Sequence, residues 1–133
     1  MARKWTAILV CLVYLVVFTV NATAEGINPR YAFARRISAE LRLSNGTAEV
    51  IGKITPNGGY ETRVTVRLQR CDDGSWVTLS TWTDHNTNGS SEAGGTRSIT
   101  TGHDYRAYAI GKVYDGNGNL LETATGYSVV YSY

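Results

Sequence analysis

From Ile37 onward, apolar and polar residues alternate with a period of two. Ile37, Ala39, Leu41 and Leu43 are separated by Ser38, Glu40 and Arg42. Ala48, Val50, Gly52 and Ile54 repeat the pattern, followed by Thr62, Val64, Val66 and Leu68 against Arg63, Thr65, Arg67 and Gln69. Alternation of this kind predicts half-buried strands with one solvated face. Further strands are expected at Trp76–Trp82, Thr96–Thr101, Tyr105–Val113 and Leu120–Tyr131. Turn chemistry falls between them: Asn45-Gly46, Pro56-Asn57-Gly58-Gly59, Asp72-Asp73-Gly74 and Asp115-Gly116-Asn117-Gly118. Such pairs supply the positive φ that tight hairpins need. Asp84 to Gly95 is polar and glycine-bearing and is read as a long surface loop. No amphipathic helix period and no internal repeat is present. The expected fold is all-β, a two-sheet antiparallel β-sandwich of about seven strands, occupying residues 37–133.

The N-terminus breaks this pattern. Arg3 and Lys4 precede an uncharged apolar run that ends in Ala22-Thr23-Ala24. A basic start, an apolar middle and a small-x-small ending describe a secretory signal peptide over residues 1–24. The run is also just long enough to span a bilayer, so an uncleaved anchor is the competing reading. Any membrane contact is then confined to this segment. Residues 25–36, with Gly26, Pro29 and three arginines, read as a linker, although Tyr31 and Phe33 are aromatics of the kind that dock back on a domain. The expected location is secreted or at the cell surface.

Export changes the charge. The whole chain has 13 bases, 11 acids and a net charge of +2; loss of Arg3 and Lys4 leaves 11 bases against 11 acids. A neutral domain gives no support to a nucleic-acid partner. It also leaves Cys71 as the sole cysteine, expected as a solitary thiol or as a bridge to a second copy. A monomer is expected otherwise.

Candidate chemistry is sparse. His85 and His103 each have an aspartate neighbour (Asp84, Asp104), but neither has zinc-site spacing. Asp115 to Asn119 opens like a calcium loop, then places Leu120 and Gly126 where glycine and a carboxylate belong, so it is read as a hairpin turn. No metal and no cofactor is expected. No nucleophile elbow or Cys-His pair is present. Carboxylates for a small secreted hydrolase would have to come from Asp72, Asp73 and Asp84, if these share one end of the sandwich; the tight turn explains Asp72-Asp73 more simply. Asn45-Gly46-Thr47 and Asn88-Gly89-Ser90 match glycosylation acceptors but are read as turns. The chain is not expected to be an enzyme.

Aromatics are the richer signal: 9 tyrosines and 3 tryptophans. Trp76 and Trp82 have even separation and would share a face in a regular strand, with Trp76 in the core and Trp82 half exposed. Opposite the core face of the Tyr105 strand lie Arg106, Tyr108, Ile110, Lys112 and Tyr114. Trp82, Tyr108 and Tyr114 are the candidate ligand-binding residues.

Two resemblances add to this. Ile99-Thr100-Thr101-Gly102-His103-Asp104-Tyr105-Arg106-Ala107 resembles the stretch before strand F of immunoglobulin-like and fibronectin type III-like domains. The resemblance implies that Tyr105 bonds back to upstream backbone and that Gly102 relieves the turn. Asn45-Gly46-Thr47-Ala48, Leu68-Gln69-Arg70, Gly74-Ser75-Trp76, Tyr105-Arg106 and Tyr114-Asp115 resemble small secreted clostridial proteins that share a domain of unknown function; this implies no site residues. The functional expectation is a non-catalytic protein-interaction or adhesion module whose partner is a cell-surface protein. A glycan-binding module is the alternative, and a small secreted hydrolase the second.

Overall fold

The computed structural model describes residues 31–133. The segments expected as signal peptide, residues 1–24, and as the first part of the linker, residues 25–30, lie outside the described residues. Eight strands follow in chain order: β1 (Ala34–Ser44), β2 (Thr47–Pro56), β3 (Glu61–Asp72), β4 (Ser75–Asn86), β5 (Ser91–Ser98), β6 (Asp104–Tyr114), β7 (Leu120–Tyr127) and β8 (Tyr131–Ser132). They form a three-stranded sheet, β1-β2-β5, and a five-stranded sheet, β4-β3-β6-β7 with β8 alongside β6. All pairs are antiparallel. The fold is the expected all-β, immunoglobulin/fibronectin III-like two-sheet sandwich.

The alternation seen in the sequence becomes the burial pattern. In β3, Thr62, Val64, Val66 and Leu68 are fully buried, and so are Val50 and Ile54 of β2 and Tyr105, Ala107, Ala109 and Val113 of β6. Each large aliphatic side chain so buried contributes about 1.5–3 kcal/mol gross. The sheets approach closely where β6 lacks a side chain: a Cβ on Gly111 would lie 2.4 Å from Ile54 Cδ1. That gap seats Ile54 and Ile37.

The turns follow their residues. Asn45 and Gly46 have φ of 50° and 74°, and Asp73 and Gly74 have 50° and 84°. Two successive positive values are the signature of the hairpin turn that matches strand twist. At the last hairpin the positive value falls on Gly118, and the Asp115 carboxylate closes the loop by accepting from the Asn117 and Asn119 amides.

Two expectations change. The segment from Asp84 to Gly95 is not a long loop: β4 runs to Asn86 and β5 begins at Ser91. The turn between them is held by Asn86, which accepts from Asn88 N and donates to Ser90 O. Ser91 and Ala93 face inward, so β5 does alternate, but with residues too small to register as a hydrophobic strand. The final run Leu120–Tyr131 is interrupted at Ser128. Ser128 Oγ accepts from Ala107 N and Ser128 N donates to Ala107 O, after which the chain rejoins β6 as β8.

Side chains lace both open seams. Arg97 of β5 donates to Leu79 O and Ser80 Oγ of β4. On the other side, Glu122 of β7 accepts from the backbone amides of Ala32, Phe33 and Ala34. Tyr31 and Phe33 do dock on the body: Thr125 N donates to Tyr31 Oη, and the Phe33 ring meets Tyr60 edge-on at 5.6 Å. Strand β1 opens at Ala34, three residues before the alternation becomes visible.

Candidate functional site

The outer face of the five-stranded sheet carries the aromatic and cationic side chains. Register places them in rows. Gln69 stands opposite Arg106, Arg67 opposite Tyr108, Thr65 opposite Ile110, Arg63 opposite Lys112 and Glu61 opposite Tyr114. Strand β7 adds Tyr127, Thr125 and Thr123 beside Tyr108, Ile110 and Lys112. Strand β4 adds Thr78, Thr81, Thr83 and His85 beside Gln69, Arg67, Thr65 and Arg63.

A bulge corrects the reading of the two tryptophans. Leu68 pairs with Ser80 while Gln69 pairs with Thr78, so Leu79 is an extra residue in β4. One inserted residue switches the faces on either side of it. Trp76 therefore pairs with Cys71 on the outer face, whereas Trp82 pairs with Val66 on the inner one. Trp76 is half-buried on the outside and is not a core residue. Trp82 leans inward over β5: a Cβ on Gly95 would lie 2.2 Å from its Nε1. Of the three candidate ligand-binding residues, Tyr108 and Tyr114 share the outer face of β6. Trp82 lies on the other side of the sheet.

On the outer face, four side chains form a ladder. The Arg106 guanidinium lies 4.3 Å from the Trp76 ring centroid and 4.5 Å from that of Tyr127. Tyr127 stacks on Tyr108 at 4.5 Å with 11° between the planes. Arg106 Nε also donates to Gln69 Oε1 at 2.8 Å, and Gln69 Nε2 donates to Thr78 Oγ1. Arg106 is only 6% exposed, so its charge sits in the setting where cation–π attraction is strongest. Sequence reasoning placed Arg106 and Tyr108 on this face but missed Trp76 and Tyr127. Their contribution depends on the bulge and on β7 lying next to β6.

At the far end, Arg63 lies over the Tyr114 ring at 5.5 Å. His85 Nε2 is 2.6 Å from Glu61 Oε1. Spatial pairing thus differs from sequence pairing: Asp84, the chain neighbour of His85, accepts from Glu92 N instead. His103 lies 3.7 Å from Asp72, which Arg70 holds by two hydrogen bonds. Those bonds from Arg70, with the nearby positive charge, keep the Asp72 carboxyl below its ordinary range and raise the Arg70 guanidinium. The carboxylates considered for hydrolysis do not meet: Asp72 pairs with Ser75 and Asp84 with Val64, so they stand at opposite ends of the β3–β4 hairpin, roughly 27 Å apart by strand rise.

Cys71 is buried on the outer face beside Trp76, its cross-strand neighbour in β4. The other cysteine of the sequence, Cys11, lies outside the described residues.

No family model matches the chain, and no curated protein matches it. Among solved structures, it is similar to the β-glucuronidase of Ruminococcus gnavus in complex with D-glucuronic acid, with a TM-score of 0.38 and 17% identity over 71% of this chain and 15% of that one. It is also similar to a CARDB domain from Pyrococcus furiosus in complex with di-metal ions, with a TM-score of 0.39 and 18% identity over 77% of this chain and 92% of that one. The chain spans about 15% of the length of the glucuronidase. These likenesses are to β-domains and carry no argument about the site.

Proposed function

We propose that this chain is an exported β-sandwich module that binds a protein at a cell surface, in interaction or adhesion, through the outer face of its five-stranded sheet. The observation that carries this reading is the Trp76–Arg106–Tyr127–Tyr108 ladder. Tryptophan, tyrosine and arginine are the residues that dominate binding energy at protein interfaces. Here they are held rigid by one another, which lowers the ordering cost of association. A solvated sheet face needs none of them; threonine and paired charges suffice, as on the other sheet.

The glycan-binding alternative is less well supported. A sugar ring stacks on an exposed aromatic face. The Tyr108 face is taken by Tyr127, the Tyr114 ring is covered by Arg63, and Trp82 is seated over Gly95. Flat stacking is therefore obstructed at all three candidates.

The test is binding of the labelled secreted protein to intact bacterial cells and to immobilised glycans. Saturable binding to cells is expected, lost after protease treatment of the cells, and weakened about tenfold or more by Tyr108→Ala. Binding that survives protease but not periodate would replace this reading with the glycan one.

A further inference from the structure

The two sheets treat their charges in opposite ways. On the outer face of the three-stranded sheet, Arg42 stands directly opposite Glu49 and Lys53 directly opposite Glu92. Arg42 also lies 4.0 Å from Glu40. Arg36, at the start of β1, faces Thr55 instead. On the outer face of the five-stranded sheet, Arg63 stands directly opposite Lys112, and Arg67 opposite Tyr108. Like charges directly opposite one another destabilise a sheet. Among the described residues, none of Arg63, Arg67 and Lys112 forms an ion pair. The acids that share this face, Glu61 and Asp104, sit at its two ends, and each is engaged locally, by His85 and Ser132. The face thus holds Arg63, Arg67, Lys112 and Arg106 against two occupied carboxylates, in a domain whose bases and acids balance overall.

Resting on the interaction reading above, we infer that Arg63, Lys112 and Arg67 form an anion-recognition centre, and that the partner docked on this face presents an acidic protein segment. The Arg63–Lys112 pair concentrates two cations across one strand gap, about 5 Å wide. Arg67 lies four residues along β3, roughly 13 Å away. That spacing suits carboxylates projecting from an extended chain. The threonines between them (Thr65, Thr83, Thr125) offer hydroxyls to its backbone. The ladder at one end supplies the apolar anchor, and the cations supply steering and register.

The occupant is a protein segment for the reason already given: the ring faces that a polysaccharide would stack on are covered. The face is also broad. Four strands and its length give an area of the order expected for one side of a standard protein interface.

The experiment titrates the secreted protein into a fluorescein-labelled peptide of ten glutamates, with alginate and polyphosphate as competitors. The Arg63→Ala/Lys112→Ala double variant is expected to bind at least about fivefold more weakly. Arg42→Ala/Lys53→Ala, on the other sheet, is expected to stay within twofold. Wild-type affinity should fall as salt rises. Because the like-charge pair is relieved, the double variant should melt at the same temperature or higher, so weaker binding cannot be ascribed to unfolding. Equal affinity in the double variant, or an equal loss in the control, would overturn the centre. Tighter binding of alginate or polyphosphate than of the peptide would overturn the acidic-protein occupant. Cell binding distinguishes this inference from the function it rests on. Binding lost with Tyr108→Ala but kept with Arg63→Ala/Lys112→Ala overturns the charge centre alone; binding kept by both overturns the whole face.

Discussion

Replacing Tyr105 by phenylalanine isolates one hydroxyl and leaves the packing intact. The ring is fully buried at the start of β6. Its hydroxyl donates to Thr100 O at 2.7 Å and accepts from Thr100 N at 3.3 Å, tying the strand to the turn that contains Gly102, whose φ is 89°. A net hydrogen bond is worth about 0.5–1.5 kcal/mol, and stranding a buried partner adds about 1–3. Thr100 itself is exposed, so water replaces much of what is lost. The expected cost is therefore about 1–2 kcal/mol. The assay is urea unfolding followed by circular dichroism. The midpoint should fall while the slope stays constant, since the exposed surface is unchanged. A thermal scan should drop about 4–8 °C for each kcal/mol. Tyr114→Phe, on the outer face, serves as control and should stay within about 0.5 kcal/mol. If Tyr105→Phe unfolds at the same midpoint as the parent, the corner bond does not hold the turn and the reasoning fails.

Other consequences are equally open to measurement. Gly95→Ala drives a methyl group into the Trp82 indole, so it should destabilise the domain by about 1–3 kcal/mol and red-shift tryptophan emission in a Trp76→Phe background. Unchanged emission would mean that Trp82 is not seated on β5. Glu122→Gln weakens the grip on three backbone amides, so hydrogen exchange at residues 32–34 should speed up while β3 and β6 stay protected. Asp72 is depressed foremost by the Arg70 hydrogen bond. Its stabilisation is then present above the unfolded value of about 3.9 and is lost as pH falls through the lower folded value. The melting deficit of Asp72→Asn should accordingly be full at pH 6 and shrink as pH falls below about 3.9; a deficit independent of pH would remove that assignment.

How far the sequence could be read follows from physical scale. Period-two alternation reveals strands with large inward residues, as in Val64, Val66 and Leu68, because burial of each is worth more than local propensity. Positive-φ turns are legible for a similar reason, since few residues tolerate what Asn45-Gly46 and Asp73-Gly74 adopt. Tyr105 was legible because a corner tyrosine sits at a fixed offset from its turn. Strand β5 was hidden, since Ser91, Ala93 and Gly95 face inward to make room for Trp82 rather than to bury area. The bulge at Leu79 was hidden as well. Nothing in the run Trp76–Trp82 marks an extra residue, yet it decides which tryptophan reaches the outside. The ladder joins β4, β6 and β7, and its existence depends on strand order, which alternation does not encode.

The proposed recognition surface is one face of this sandwich. Placing a photo-crosslinking residue at Thr65, mid-face on the five-stranded sheet, and separately at Ile51, mid-face on the three-stranded sheet, tests it directly on intact cells. A discrete, protease-sensitive adduct is expected from position 65 and none from position 51. An adduct from position 51 alone would contradict it.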